Sequence, residues 1–276
     1  MSRSALLWLT HVWGPEIQAE FEKISAVSGD VWLLVDRSMA NAAAVAARYP
    51  QCHLFDEAQV FRLPYPKMKG RRLLEHHHFP ILDFFLEHRE YDFYWVVEYD
   101  VRYTGDWRTL LDSYEKCDHD FITSHVRRFD QEPGWEDWES LRHPTKAIPG
   151  ESRLRCFNVI HRLSNRALEF IHESQVDGWE GFTEVLLPTL LSQGEFKLLD
   201  FGDGVYTARG FRNGRLSIFG TLRYRPSRTK PGWQTNKLYH PVKPPWMMEP
   251  LGLRARFFLR WVWDVVHDLL AANARK

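Results

Sequence analysis

Asp92-Phe93-Tyr94-Trp95-Val96-Val97-Glu98-Tyr99-Asp100-Val101 is the most strand-like run in the chain, and two acids lie at its end. Its body is apolar without interruption, as a strand covered on both faces requires. Thr104-Gly105 then marks a turn. Side chains alternate along a strand, so Glu98 and Asp100 are expected on one side and Tyr99 on the other. Upstream, residues 5–12 (ALLWLTHV) and 31–36 (VWLLVD) read as further buried strands, and 52–56 (CHLFD) as a third. Between them, Pro15 opens a helix to about Val27 with Ile17, Phe21 and Ile24 at helical spacing. A second helix covers 42–49 and closes at Pro50. Strands alternating with helices imply βαβ units and a parallel sheet covered on both faces.

Downstream, a helix is expected over Arg71–His88, with a kink at Pro80. Residues 121–126, 156–163 and 196–201 read as strands. Ser164 is placed to cap a helix over 165–174, and a further helix is expected within Gly178–Leu191. The last helix covers about 251–272. One continuous α/β domain over 1–250 followed by an amphipathic helix over 251–276 is the simplest organisation.

Composition narrows the function. Lys plus Arg and Asp plus Glu both number 36, so the formal net charge is zero. That argues against a nucleic-acid partner, which calls for a basic excess. The three cysteines are widely spaced and form no CxxC pair, which disfavours a disulfide scaffold and points to a reducing, cytoplasmic compartment. No apolar run reaches the ~18 residues of a spanning helix.

The chemistry gathers at three places. Two carboxylates beyond the carboxyl end of a parallel strand suit Mg²⁺ or Mn²⁺ carrying phosphates, where ligands of such sheets bind. A salt-bridged acid pair is the competing reading. His240, in KLYHPVKP, is held extended by Pro241 and offers an imidazole as a third metal ligand. Lys237 and Lys243 flank it and could meet phosphate oxygens. Glu180 and Glu184 are four apart ahead of VLLPTLL, on one helical face if the helix starts early enough. Either could serve as general base to an acceptor hydroxyl, or simply favour the helix dipole.

Taken in order, these residues resemble the GT-A type of nucleotide-diphospho-sugar transferase. The resemblance rests on the run Tyr94–Trp107 (YWVVEYDVRYTGDW), on Arg162–Leu168, on Glu184–Leu190 and on Tyr239–Lys243, and spans about residues 5–245. It implies a mostly parallel central sheet flanked by helices. It also implies a metal-dependent glycosyltransferase moving a sugar from a nucleoside diphosphate, a UDP-sugar by default, to a hydroxyl of a glycan or lipid-linked acceptor. One metal and one candidate base favour inversion, with retention as the alternative. The family's acid-x-acid motif maps onto Glu98 and Asp100, with a Glu where Asp is commoner. Asp100 would bind the metal, and Glu98 would face the ribose or the metal's water shell. The family's late His maps onto His240, and its acceptor-side acid onto Glu184, with Glu180 as rival. Asp36, ending the second strand, would lie beside the nucleotide base and ribose. The alternative from another class is a non-catalytic sugar- or membrane-binding module that keeps this fold.

Other features admit two readings each. Lys67, Lys69, Arg71 and Arg72 form a basic cluster at a loop-to-helix junction, a diphosphate site or a solvated face. His76-His77-His78 cannot converge on one ion, because successive helical residues splay by about 100°. Trp135 and Trp138 could stack an acceptor sugar or pack into a core. The arginines of 207–250 could belong to a lid or to an ordered excursion. The final helix joins apolar residues to Arg254, Arg256 and Arg260, which suits a peripheral contact with the cytoplasmic face of a membrane, docking on the domain, or a homodimer.

Overall fold

The computed structural model describes residues 3–27, 29–68, 73–202, 216–217, 221–259 and 262. Its first half is built as the alternation of apolar runs requires. Strand β1 (Ser4–Thr10) is followed by helix α1 (Pro15–Ser25), strand β2 (Val31–Asp36), helix α2 (Ala42–Arg48), strand β3 (Cys52–Phe55) and the single turn α3 (Glu57–Val60). Pro15 opens α1, where a missing N–H costs nothing, and Ile17, Phe21 and Ile24 form its buried stripe. Helix α4 (His78–Glu87) leads into strand β4 (Phe93–Glu98), the two-residue strand β5 (Arg102–Tyr103) and helix α5 (Trp107–Asp112).

The second half adds strand β6 (Phe121–Arg128), strand β7 (Leu154–Ser164), helix α6 (Asn165–Val176), helix α7 (Thr183–Gln193), strand β8 (Leu198–Asp200) and strand β9 (Leu238–Tyr239). The Ser164 hydroxyl caps α6 by accepting from Ala167 N–H at 3.2 Å, as its position in the sequence suggests. Residues 251–259 are helical.

Seven strands form one sheet in the order β3-β2-β1-β4-β7-β6-β8. Strands β1, β2, β3 and β4 run parallel, as do β6 and β8, whereas β7 is antiparallel to both its neighbours. This is the α/β fold with a mostly parallel, helix-covered sheet expected from the sequence. One core layer packs α1, α2 and α5 against the sheet, and the other packs α4, α6 and α7 against the opposite face. A smaller cluster around Trp138, Trp179 and Leu186 sits apart from both.

Three local expectations are corrected. The helix read from Arg71 begins at His78, after a 3₁₀ turn over Leu73–His76. Pro80 therefore lies in the first turn of α4, where no i−4 carbonyl is waiting, and has no ladder to break. Strand β4 stops at Glu98 rather than at Val101, because the chain turns there: Val101 N–H donates to the Glu98 carbonyl at 3.0 Å. Helix α7 begins at Thr183, so Glu180 is outside it and the pair Glu180/Glu184 shares no helical face.

Candidate metal centre

Strand β4 lies beside β1, with Glu98 opposite Leu9, and Tyr99 N–H extends the pairing to the Leu9 carbonyl at 3.0 Å. The turn after Glu98 then carries Asp100 back over the strand end. Buried Arg102 staples this turn, its guanidinium donating to the carbonyls of Tyr99 and Val101 at 2.7 and 2.8 Å. Beyond it, β5 pairs antiparallel with β9, Arg102 facing Tyr239. The residue after Tyr239 is His240, and Val242 N–H closes the arrangement on the Asp100 carbonyl at 2.8 Å. A two-strand ribbon thus brings a histidine from the end of the domain to an acid pair in its middle.

Glu98, Asp100 and His240 each offer a donor atom within 4.8 Å of the others. His240 Nε2 lies 3.3 Å from Asp100 Oδ1 and 3.8 Å from Glu98 Oε2. Its other nitrogen, Nδ1, donates to the Arg223 carbonyl at 2.8 Å. That bond orients the ring so that Nε2 faces the acids, the arrangement seen behind metal-bound histidines. Asp100 Oδ1 is buried and accepts no well-directed hydrogen bond. Lys243 Nζ stands 3.6 Å from Asp100 Oδ2. Two carboxylates and an oriented imidazole, with one carboxylate oxygen unsatisfied, fit a divalent cation.

The electrostatics agree with a site awaiting positive charge. Burial pushes the Glu98 carboxyl up, and the neighbouring charge of Asp100 pushes it further. Burial opposes ionisation of Asp100 too, but His240, Lys243 and Arg102 outweigh it and hold that carboxyl below its ordinary value. Burial would lower His240, yet Asp100 and Glu98 raise it on balance. Adding a cation would allow both acids to ionise.

Glu184 completes the surroundings from the first turn of α7. Its charge is felt by Glu98, and that of His240 is felt by Glu184. Burial pushes the Glu184 carboxyl up to about 7, with Arg155 pulling it down and Asp137 pushing it up. Helix α7 is pinned at this end by a buried relay. Gln175 Nε2 donates to the Trp179 carbonyl at 2.7 Å, so its Oε1 accepts from His78 Nε2, and His78 Nδ1 accepts from the Thr183 hydroxyl at 2.7 Å. His78 is thereby part of the packing beneath α7.

The other expected residues divide. Lys243 joins the centre. Asp36, at the end of β2, accepts from Ser38 N–H at 2.8 Å, and its charge reaches His11, as do those of Asp100 and Lys243. Glu180 pairs its backbone with Arg142 in the loop before α7. Lys69, Arg71 and Arg72 lie outside the described residues, as do Arg209, Arg212 and Arg215. Lys67 Nζ lies 5.7 Å from the Phe61 ring centroid. Trp138 is core, and Trp135 has the Arg155 guanidinium over its ring at 4.6 Å.

A family model described as "Protein of unknown function (DUF3405)" matches residues 39–121, a stretch that holds Glu98 and Asp100. No curated protein sequence matches this chain. Solved structures that resemble it include the bifunctional IspDF of Campylobacter jejuni, 11% identical with a TM-score of 0.38, covering 76% of this chain and 51% of that one. This chain therefore spans about half of that protein's length. Another is 4-diphosphocytidyl-2C-methyl-D-erythritol synthase of Anaerococcus prevotii, 4% identical with a TM-score of 0.42, covering 71% of this chain and 85% of that one.

Sequence reasoning missed Arg102, Arg155 and Phe157. Phe157, on β7, sets its ring 5.4 Å from that of His240. Arg155 Nη1 pairs with Glu132 at 3.1 Å and also acts on Glu184. Arg102 carried a legible signal, a cation directly after an apolar strand and its acids. Arg155 and Phe157 carried none, since only the sheet order places β7 beside β4.

Proposed function

We propose that this chain is a metal-dependent glycosyltransferase that moves a sugar from a nucleoside-diphosphate donor, a UDP-sugar first among candidates, to a hydroxyl of a glycan or lipid-linked acceptor. The observation that carries this reading is the convergence of Glu98, Asp100 and His240, with Lys243 beside them, beyond the carboxyl end of a parallel strand. These three side chains would hold Mn²⁺ or Mg²⁺, which when bound supplies Lewis-acid stabilisation of the leaving diphosphate. Lys243 adds a fixed positive charge where negative charge develops on the phosphate oxygens. Asp36, at the end of β2, would take the nucleoside side of the donor.

Glu184 serves as the general base. Its carboxylate takes the proton of the acceptor hydroxyl as that oxygen bonds to the anomeric carbon and the bond from that carbon to the diphosphate breaks. A base opposite the leaving group gives inversion. A carboxyl raised to about 7 is half ionised near neutrality and is a stronger base than an ordinary glutamate. Arg155 keeps it from rising further. Glu180, outside α7, is set aside as rival base.

Calorimetric titration of UDP and then GDP, with and without Mn²⁺, tests the reading on wild type and Asp100→Ala. Metal-dependent binding that Asp100→Ala abolishes supports it and names the nucleotide. Absence of nucleotide binding by wild type with Mn²⁺ overturns it in favour of the non-catalytic alternative.

A further inference from the structure

The largest run of exposed apolar side chains on the described molecule has no place in that chemistry. Leu251 is 80% exposed, Leu259 68% and Phe258 50%, and Val262 is also exposed, as is Leu253 on the far side of the same helix. Trp246, in the 3₁₀ turn Pro245–Met247 just ahead, is exposed as well. Folded proteins leave such a contiguous patch open where something binds.

The helical arrangement of 251–259 gives the patch a shape. At about 100° per residue, Phe258, Leu251, Ala255 and Leu259 fall within an arc of roughly 100°. Val262 falls inside the same arc. Arg254 lies just beyond one edge of it and Arg256 just beyond the other. Phe257 points away from the stripe, its ring 4.9 Å beneath the Arg225 guanidinium, and Arg225 in turn lies 3.8 Å from Glu249. The helix is thus held to the domain by one side and offers an apolar stripe, railed by arginines, on the other. In the sequence the spacing continues through Val265, Val266 and Leu269, while Asp264 and Asp268 fall at the opposite spacing.

From this geometry we infer that the stripe formed by Leu251, Ala255, Phe258, Leu259 and Val262 is a docking surface for an anionic phospholipid bilayer. The helix lies in the plane of the interface. Apolar side chains enter the acyl boundary, and the arginines on both rails meet lipid phosphates while their stems cover apolar surface. A second copy of this chain fits less well. Both rails are cationic and residues 251–259 contain no acid, so a self-complementary pair would set arginine against arginine over this stretch. Among the described residues no helix is long and apolar enough to cross a membrane. The inference stands on this helix and does not depend on chemistry at Asp100.

Vesicle co-sedimentation of the full chain tests it, using phosphatidylcholine alone and phosphatidylcholine with phosphatidylglycerol. The wild type is expected to pellet with the anionic vesicles, to stay in solution with the neutral ones, and to be released by added salt. The variant Leu251→Glu/Leu259→Glu alters the two most exposed side chains of the stripe, so it keeps its thermal unfolding transition but loses vesicle binding. Arg254→Ala/Arg256→Ala weakens binding by roughly thirtyfold, the loss of two cations near an anionic surface. Wild type remaining in solution with anionic vesicles overturns the inference. So does undiminished pelleting of Leu251→Glu/Leu259→Glu. A wild-type dimer in light scattering that this variant dissociates, without vesicle binding, assigns the stripe to self-association instead.

Discussion

Asp100 is the residue on which the centre turns. It is buried, one of its oxygens lacks a good hydrogen bond, and three cationic groups face it. Asp100→Ala is therefore expected to abolish Mn²⁺-dependent nucleotide binding, read by calorimetry. His240→Ala removes one ligand of three and should weaken metal affinity by about ten- to a hundredfold or more. Glu184 gives a separate signature. Its carboxyl is raised, so the base form is populated only as pH rises through about 7. Turnover (kcat/KM) should climb with pH around that midpoint. Glu184→Gln should lose turnover by a factor of about 10² or more while leaving nucleotide affinity near wild type. A profile that is flat between pH 6 and 8, measured at saturating metal, would remove Glu184 from the role of base.

At the scale of elements, the site depends on the ribbon of β5 and β9, which contributes two residues per strand. Its turn is tight. A Cβ on Gly105 would meet the Tyr103 ring at 2.6 Å and also the Asn236 side-chain oxygen. Tyr103 belongs to β5 and Asn236 lies two residues before β9, so Gly105→Ala pushes the two strands apart. The expected cost is about 1–3 kcal/mol of stability, with weaker metal binding because His240 rides on β9. Denaturant unfolding with and without Mn²⁺ would separate the two effects. The relay from Trp179 through Gln175 and His78 to Thr183 plays the equivalent part for α7. His78→Leu removes a buried partner of both Gln175 and Thr183 and should cost about 1–3 kcal/mol.

At the scale of the whole molecule, a metal held by Glu98, Asp100 and His240 would join segments far apart in the chain. Glu98 and Asp100 come from the middle of the sheet, and His240 follows the last strand. A ligand that binds only the folded state stabilises it by about 2.7 kcal/mol at a hundred times its Kd. Saturating Mn²⁺ should therefore raise the thermal midpoint by roughly 5–10 °C. Asp100→Ala should show no such rise. An equal rise in both proteins, followed by calorimetric scanning, would place the bound metal elsewhere.

Local pattern was enough for the elements that matter most. The apolar runs of β1, β2 and β4, the stripe of α1 and the Ser164 cap are all readable because each depends on residues close in sequence. The acid pair was readable too, being three residues long, and so was the candidacy of His240. The reason for convergence was not. Strand alternation was expected to align Glu98 with Asp100, whereas a turn after Glu98 and the Arg102 staple do so. Glu180 and Glu184 differ by four in sequence, but the helix begins between them, at Thr183, and only packing against His78 sets that start. Above all, the sequence by itself determined an α/β chain with acids at a strand end. The tertiary structure alone decided that His240, 140 residues beyond Asp100 in the numbering, faces them. Backbone pairing of β5 with β9 made that decision, and hydrogen bonds between distant strands leave no mark in either strand's own pattern.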